Sequence, residues 1–468
     1  GRCMTFRKIN KVFFVGIGGI GMSGIAELLL NLGFKVFGSD MNENDNVVRL
    51  KSLGVDVKIG HDPTNLIDAD VLVYSSAVPL ENPEIMKARQ KGIPVIRRAE
   101  MLGELINVKE TSIAVGGTHG KTTTSSMIGA MLSYSKMDPT LVVGGLVQNL
   151  NSNSKLGTGD IIVVEADEFD RSFLALKPTI GIITNIELEH TDCYEDLEDL
   201  QNAFLQFCQS VPFYGEVILC ADSPAVQEIL PKIERPMTTY GRSRDAAYRA
   251  ENLRFDENSS TYSVFRAEEN LGEIQLNVPG EHNVLNSLAA VVLGLEMGLS
   301  FQMIQKGITS YKGVRRRFDI KGIHKDIMVV DDYAHHPTEV EATLNAAKAG
   351  WDRRIVAVFQ PHLFTRTQAF FREFATALQI ADLVVITDIY PAREKAIPGV
   401  TSKLIFDACY PKMKMNCHYV PDLDDLEEKL DEIIMPNDMI ITLGAGSIWR
   451  YSESYMDHLA YSADGVTG

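Results

Sequence analysis

The chain has 468 residues, 45% of them hydrophobic, with 45 basic against 62 acidic side chains and a formal net charge of −17. That length predicts two to four domains with real cores, and an acidic balance without any long Lys/Arg run argues against duplex nucleic acid or an anionic membrane as the main partner. Six cysteines without CxxC spacing signal neither a zinc site nor a disulfide framework; with no signal-peptide pattern and no apolar run long enough to span a bilayer, a cytoplasmic location without membrane insertion is expected.

Along the chain, short apolar runs alternate with amphipathic stretches. Residues 12–16, 35–38 and 71–75 read as buried parallel strands, each followed by a helical pattern. A second series comprises 112–116, 161–165, 179–184 and 217–220, and a third 327–331, 355–360, 383–387 and 439–443. Three such alternations predict an α/β protein of three domains, with boundaries near 108 and 317. Between about 236 and 280 the pattern changes: 248–255, 261–266 and 273–278 alternate polar and apolar residues as antiparallel strands do.

The first strand runs into Gly16-Ile17-Gly18-Gly19-Ile20-Gly21, and Asp40 stands 19 residues after Gly21. This matches a dinucleotide fingerprint: tight turn, close backbone approach to a pyrophosphate, and a carboxylate for a ribose hydroxyl. The loop physically recognises a diphosphate at a helix N-terminus. NAD(P), another nucleotide, or a turn without ligand all remain open on these residues alone.

The strand at 112–116 leads into Gly117-Thr118-His119-Gly120-Lys121-Thr122 and a helix predicted over 123–132. Backbone amides of such a loop can cradle phosphates, Lys121 can neutralise β/γ charge, and the Thr122 hydroxyl can ligate Mg²⁺. The strict GxxxxGK[ST] pattern fails, because Val115 stands five before Gly120. A metal needs further ligands. Glu165-Ala166-Asp167-Glu168 closes the next apolar strand, and Glu189-His190 follows the one after. Thr122, Glu165 and His190 are thus expected beyond the ends of neighbouring strands, a sparse set of the kind Mg²⁺ accepts together with ATP oxygens.

In order along the chain come GIGGIGMSGIAE (16–27), GSD (38–40), SSA (75–77), GGTHGKTTT (116–124), EADE (165–168) and NIELEH (185–190). GEHNVLN (280–286), RRFD (316–319), DDYAHHPTE (331–339), FQPH (359–362), TRT (365–367) and GAGS (444–447) follow. With these motifs the chain closely resembles the Mur ligases, the ATP-dependent amide ligases that build the peptide of peptidoglycan, over nearly its whole length. Within them it looks like the branch that joins L-alanine to UDP-N-acetylmuramate.

The resemblance implies a Rossmann-like UDP-sugar domain (1–108), a central P-loop-type ATP/Mg domain with a mostly parallel sheet (109–317), and a C-terminal Rossmann-like domain for the amino acid (318–468). Gly18, Gly21, Asp40, Ser75 and His119 are carried over as UDP-sugar contacts. ATP falls to Gly117, Thr118, Gly120, Lys121, Thr122, Thr123, His282, Asn283, Asn286, Arg316 and Asp332, with the metal on Thr122, Glu165 and His190. Tyr333, His336 and Arg366 are implied for the amino acid, and Lys121, His190, His335 and Arg366 for catalysis. A monomer or weak homodimer in peptidoglycan precursor synthesis is expected.

Two departures stand out. Glu189 replaces the family's usual Asp before His190, and 200–209 lacks the lysine that several sister ligases carry carbamylated. The alanine-adding branch does without that modification.

The implied reaction forms an acyl phosphate from the muramyl carboxylate and ATP, which the amine of L-alanine then opens. The rivals are the ligase that attaches a recycled tripeptide, whose glycine loop generally differs from GIGGIGMSG; an NAD-dependent dehydrogenase, which leaves Lys121, Glu165 and His190 without a role; and a binding protein that hydrolyses ATP to change shape.

Overall fold

The computed structural model describes residues 9–143, 146–148, 157–188 and 193–464. Twenty-one strands form three sheets among these residues. The first contains β1 (Lys11–Val15), β2 (Lys35–Asp40), β3 (Asp56–Ile59), β4 (Val71–Tyr74) and β5 (Val95–Arg97) in the order β3-β2-β1-β4-β5. All its pairings are parallel. Val12, Phe13, Phe14 and Val15 are at most 1% exposed, as expected of a central strand covered by helices on both faces.

The second sheet contains β6 (Thr111–Gly116), β7 (Thr140–Val143), β8 (Leu146–Gln148), β9 (Ile161–Glu165), β10 (Ile180–Ile183), β11 (Glu216–Cys220) and β12 (Met237–Gly241). It continues through β13 (Tyr248–Asp256), β14 (Ser259–Arg266) and β15 (Glu269–Leu276), in the order β15-β14-β13-β12-β11-β10-β6-β9-β7-β8. The last three strands are joined by two-residue links in which Glu257 (φ 51°) and Ala267 (φ 53°) adopt the left-handed conformation of tight hairpins. The third sheet contains β16 (Asp319–His324), β17 (Ile327–Asp332), β18 (Arg354–Phe359), β19 (Leu383–Ile386), β20 (Cys417–Tyr419) and β21 (Asp438–Leu443), ordered β16-β17-β21-β18-β19-β20. Only its β16–β17 pair is antiparallel.

Each sheet reverses its strand order beside a strand that carries a motif: at β1/β4, at β6/β9 and at β21/β18. Such switch points open a crevice beyond the carboxyl ends of the strands, where ligands bind. The positions of the glycine loop, the lysine loop and the 331–339 and 444–447 motifs follow from this topology.

The chain forms two compact units. Unit 1 comprises Gly1–Glu251, Ser263–Gly272 and Leu285–Tyr311; unit 2 comprises Asn252–Tyr262, Glu273–Val284 and Lys312–Gly468. One apolar core of unit 1 runs from Val12 and Ile25 through Leu102 and Phe173 to Phe204 and Val217, and so serves both the first and second sheets. Gly103 marks a very close approach within it: a Cβ there would lie 2.3 Å from the Ala175 carbonyl. In unit 2 the third sheet separates two cores, one containing Val330, Phe359 and Phe374, the other Val329, Val358 and Leu459. Among the described residues no helix is long and apolar enough to cross a membrane.

Candidate functional site

The lysine loop leaves β6 and enters the helix Lys121–Tyr134. Gly117 (φ 130°) and Gly120 (φ 84°) take conformations that L side chains rarely adopt. A Cβ on Gly117 would lie 1.9 Å from Thr184 Oγ1, so the glycine also permits close contact with the strand-end segment 184–187. That segment clamps the loop. Asn185 Oδ1 accepts from His119 N (2.8 Å), Thr184 Oγ1 donates to His119 O (2.6 Å), and Glu187 N donates to Thr118 Oγ1 (2.8 Å). His119 Nε2 lies 3.0 Å from Glu187 Oε2. Asn286 borders the other side of the loop, accepting from Thr124 Oγ1 at 3.2 Å and lying against Gly120.

No side-chain cap closes the helix that starts at Lys121, and its first turn holds no acidic residue. Its amides and the positive end of its dipole therefore suit an anion. Lys121 Nζ pairs with Glu168 Oε2 at 2.8 Å. Burial works against the ammonium, but Glu168, Asp167 and Glu165 together hold its pKa well above the usual lysine value. Burial likewise raises the Glu168 carboxyl, with Lys121 opposing the rise. The pair stands as an ion pair because three carboxylates face one ammonium. That surplus of negative charge, with Thr122 next to Lys121 in the first turn of the helix, offers hard oxygens of the kind that fit Mg²⁺. Glu165 pairs in register with Val115 of β6, one strand from the loop. His190 lies outside the described residues.

A cavity of about 420 Å³ in unit 1 is lined by Gly19, Gly21 and Ser75, by Arg98, and by Glu165 and Asp167. Gly21 is the position where Arg98 packs: a Cβ there would lie 2.9 Å from Arg98 Nη1. The helix Ile20–Asn31 also starts without a side-chain cap or an acidic first turn. Asp40 faces the glycine loop rather than open solvent alone. Its Oδ2 accepts from Gly18 N at 2.8 Å and its Oδ1 from Asn42 N at 3.1 Å, while Asn44 and Asn46 donate to Gly18 O. Behind it, the buried Glu84 carboxylate accepts from Ser39 Oγ (2.7 Å) and meets His61 Nδ1 (2.8 Å).

In unit 2, Asp332 ends β17 with both oxygens occupied, accepting from Phe318 N and Ala334 N at 2.8 Å each. Burial pushes its carboxyl up to about 6, against the pull of Arg317. Arg316 Nε pairs with Asp331 Oδ2 (3.2 Å), and its Nη2 donates to Gly444 O (2.8 Å). Arg316 and Arg317 both lie over the Tyr333 ring, at 5.1 and 5.2 Å. The two adjacent histidines part company. His336 caps the helix Pro337–Gly350 in a capping box with Glu339, whereas His335 Nδ1 lies 3.0 Å from Tyr333 O. Arg366, 7% exposed, places Nη1 3.0 Å from His362 Nδ1. His362 is stacked on Tyr390, with ring centres 5.9 Å apart. His282 is pushed down to about 4 by burial, with Arg317 adding to the effect, and Asn283 Nδ2 donates to Pro279 O at 2.9 Å.

Several residues around these sites escaped the sequence reading. Glu168, Asn185 and His362 lie inside quoted motifs, but nothing in their spacing distinguished them from neighbours. Arg98 and Tyr390 carried no local signal: each becomes relevant only through packing.

Three family models match the chain in succession: Mur ligase family, catalytic domain (residues 11–110), Mur ligase middle domain (115–294) and Mur ligase, glutamate ligase domain (316–446). Among curated relatives, a UDP-N-acetylmuramate–L-alanine ligase of Syntrophus aciditrophicus is 49% identical over 453 residues, covering 97% of this chain and 94% of its own. The corresponding ligase of Salinibacter ruber is 50% identical over 454 residues, with coverage of 97% and 95%. Among solved structures, the UDP-N-acetylmuramate-alanine ligase MurC of Thermotoga maritima superposes with a TM-score of 0.78 at 30% identity, covering 97% of this chain and 99% of that one. A murein peptide ligase from Psychrobacter arcticus shares the fold at a TM-score of 0.65 and 24% identity, with coverage of 98% and 100%. The chain belongs to the Mur ligase family.

Proposed function

We propose that this chain joins L-alanine to the lactyl carboxylate of UDP-N-acetylmuramate at the expense of ATP, through an acyl phosphate. The observation that carries the reading is the cavity of unit 1, whose lining holds both the glycine loop and the carboxylates beside Lys121. A substrate anchored by a diphosphate at Gly18 and Gly21 would extend its carboxylate towards the γ-phosphate of ATP in the lysine loop. The relatives named above, identical at about half of their positions, act on these substrates by name.

In the first step a carboxylate oxygen bonds to the γ-phosphorus, the bridging P–O bond breaks, and ADP leaves. In the second, the amine nitrogen bonds to the acyl carbon, phosphate leaves, and the nitrogen gives up its extra proton. Both partners in the first step are anions, so Lys121 and the helix N-terminus act chiefly by offsetting repulsion and fixing the approach. Thr122, Glu165 and His190 would hold a Mg²⁺ ion, which would supply further neutralisation of the phosphates. Asp40, Ser75 and His119 are assigned to the UDP-sugar; Gly117, Thr118, Gly120, Lys121, Thr122, Thr123, His282, Asn283, Asn286, Arg316 and Asp332 to ATP; Tyr333, His336 and Arg366 to the amino acid; and Lys121, His190, His335 and Arg366 to catalysis. The corresponding domains are 1–108, 109–317 and 318–468. The reading places the protein in the cytoplasm, as a monomer or weak homodimer.

The test is phosphate release from ATP with Mg²⁺ and UDP-N-acetylmuramate, offering L-alanine, glycine, L-serine and the tripeptide in turn. Release should require both the sugar nucleotide and an amino acid, with L-alanine the best. Release without UDP-N-acetylmuramate would turn the assignment towards an ATP-driven switch, and preference for the tripeptide towards a recycling ligase. A dehydrogenase would instead alter NADH fluorescence on titration.

A further inference from the structure

A buried carboxylate lies next to the end of β2, where Asp40 stands. Glu84 and Ser39 are both 0% exposed. No lysine or arginine among the described residues pairs with Glu84; three other side chains meet it instead. Ser39 Oγ donates to Oε1 (2.7 Å), His61 Nδ1 lies 2.8 Å from the same oxygen, and Asn65 Nδ2 donates to Oε2 (3.1 Å). Glu84 belongs to the first turn of the helix Pro83–Gln90, which Asn82 caps, a place where the helix dipole favours an anion. The carboxylate thus joins this helix to the end of β2 and to the loop after β3.

Both joined segments bear on the glycine loop. Ser39 O accepts from Gly16 N (2.9 Å) and Ile17 N (3.0 Å), and Asp40 Oδ2 accepts from Gly18 N (2.8 Å). Two residues at the end of β2 therefore hold three successive amides of the loop. On the other side, Gly60 N donates to Asp40 O (2.8 Å), and Asn65 Nδ2 also donates to Gly60 O (2.9 Å). Asp40 is reached from Glu84 by two routes, through Ser39 along β2 and through Asn65 and Gly60 of the neighbouring loop.

We infer that Glu84 is a positioning residue for the sugar nucleotide. By gripping Ser39, His61 and Asn65 it holds Asp40 and the glycine-loop amides in the arrangement that receives a nucleoside diphosphate, without touching the ligand itself. This rests on the ligase reading above and deepens its sugar-nucleotide site. Filling space in a core asks only for an apolar side chain; a carboxylate with three directed donors adds a defined geometry of the segments that supply them.

The experiment uses the full chain with Glu84→Gln, which keeps one acceptor oxygen in the same space, and Glu84→Met, which keeps neither. The Kd for UDP-N-acetylmuramate, measured by calorimetry, should rise about threefold in Glu84→Gln and about tenfold or more in Glu84→Met. Turnover at saturating substrate and the KM values for ATP and L-alanine should stay within about twofold. Ser39→Ala deletes one donor but keeps the carbonyl that holds Gly16 and Ile17, so it should fall between wild type and Glu84→Met. An unchanged Kd in Glu84→Met, or a rise shared by all three substrates, would overturn the inference.

Hydrogen exchange of the ligand-free chain, followed by peptide mass analysis, separates positioning from a general loss of structure. In Glu84→Gln, exchange should quicken about tenfold over residues 16–18 and 60–65, while residues 11–15 of β1 keep the wild-type rate. Equal quickening of all three segments, or of none, refutes the positioning role. A wild-type chain that binds UDP-N-acetylmuramate but releases no phosphate with any amino acid removes the ligase reading, and the Kd series still decides the role of Glu84. A wild-type chain that does not bind it removes both.

Discussion

Around Lys121 the chain concentrates charge, with an ammonium among Glu165, Asp167 and Glu168; around His335 it keeps its imidazoles uncharged among arginines, holding His282, His335 and His362 near 4, and lifts Asp332 to about 6. Both regions sit beyond the ends of parallel strands where the strand order reverses, so the fold alone does not make the difference. The chemistry does. Moving a phosphoryl group between anions calls for fixed counter-charge, which stays effective when water is excluded. Receiving an amino acid that must shed a proton calls instead for directional groups that do not repel an ammonium. Burial accomplishes the second for histidine by the same desolvation that, near Lys121, three carboxylates override.

The contrast breaks most visibly at the lysine. Lys121→Ala leaves three carboxylates without their cation and removes the charge facing the phosphates. Turnover in the phosphate-release assay should fall by at least about a hundredfold, and near-normal ligation would mean that the loop at 117–122 handles no transferring phosphoryl group. Asp40→Ala should act more mildly and on another substrate. It removes the acceptor of Gly18 N and the carboxylate proposed for the ribose, so the KM for UDP-N-acetylmuramate should rise about tenfold while that for ATP holds. The reverse pattern would show that the two glycine loops had been assigned to the wrong nucleotides.

How much of this was legible in the sequence depended on burial. Strands covered on both faces announced themselves as apolar runs: β1, β9 and β17 have nearly every residue buried. Strands at sheet edges did not. β3 buries only Val57, and β16 buries no residue fully; each lies at the end of its sheet, where one-sided packing erases the periodic signal. β15 starts at Glu269 and ends at Leu276, shifted from the expected 273–278 because the tight link around Ala267 sets the register. The site followed the same rule. Lys121 and Glu165 sit in motifs with a mechanism attached. Arg98 and Tyr390 are brought in by helix and loop packing over distances that local spacing does not record, and the different duties of His335 and His336 depend on which neighbour each ring meets.

The gentlest probe of the contrast is pH. A histidine near 4 in the folded chain and about 6.5 unfolded leaves the unfolded state holding more protons between those values, so its contribution to stability is full above about 6.5 and is lost as pH falls towards 4. Asp332 runs the other way: raised to about 6 from 3.8, it favours the folded state at low pH and loses that contribution as pH rises through 6. His282, His335 and His362 outnumber it, so this region should lose stability between pH 7 and 4.5. Acidic groups elsewhere also titrate there, and a double variant isolates the effect. Wild type and His335→Gln/His362→Gln should differ in melting temperature by an amount that moves on the order of a few degrees in the variant's favour as pH drops. A difference that stays constant from pH 7 to 4.5 would mean the two rings take up protons as easily folded as unfolded, and burial would then not keep these imidazoles uncharged.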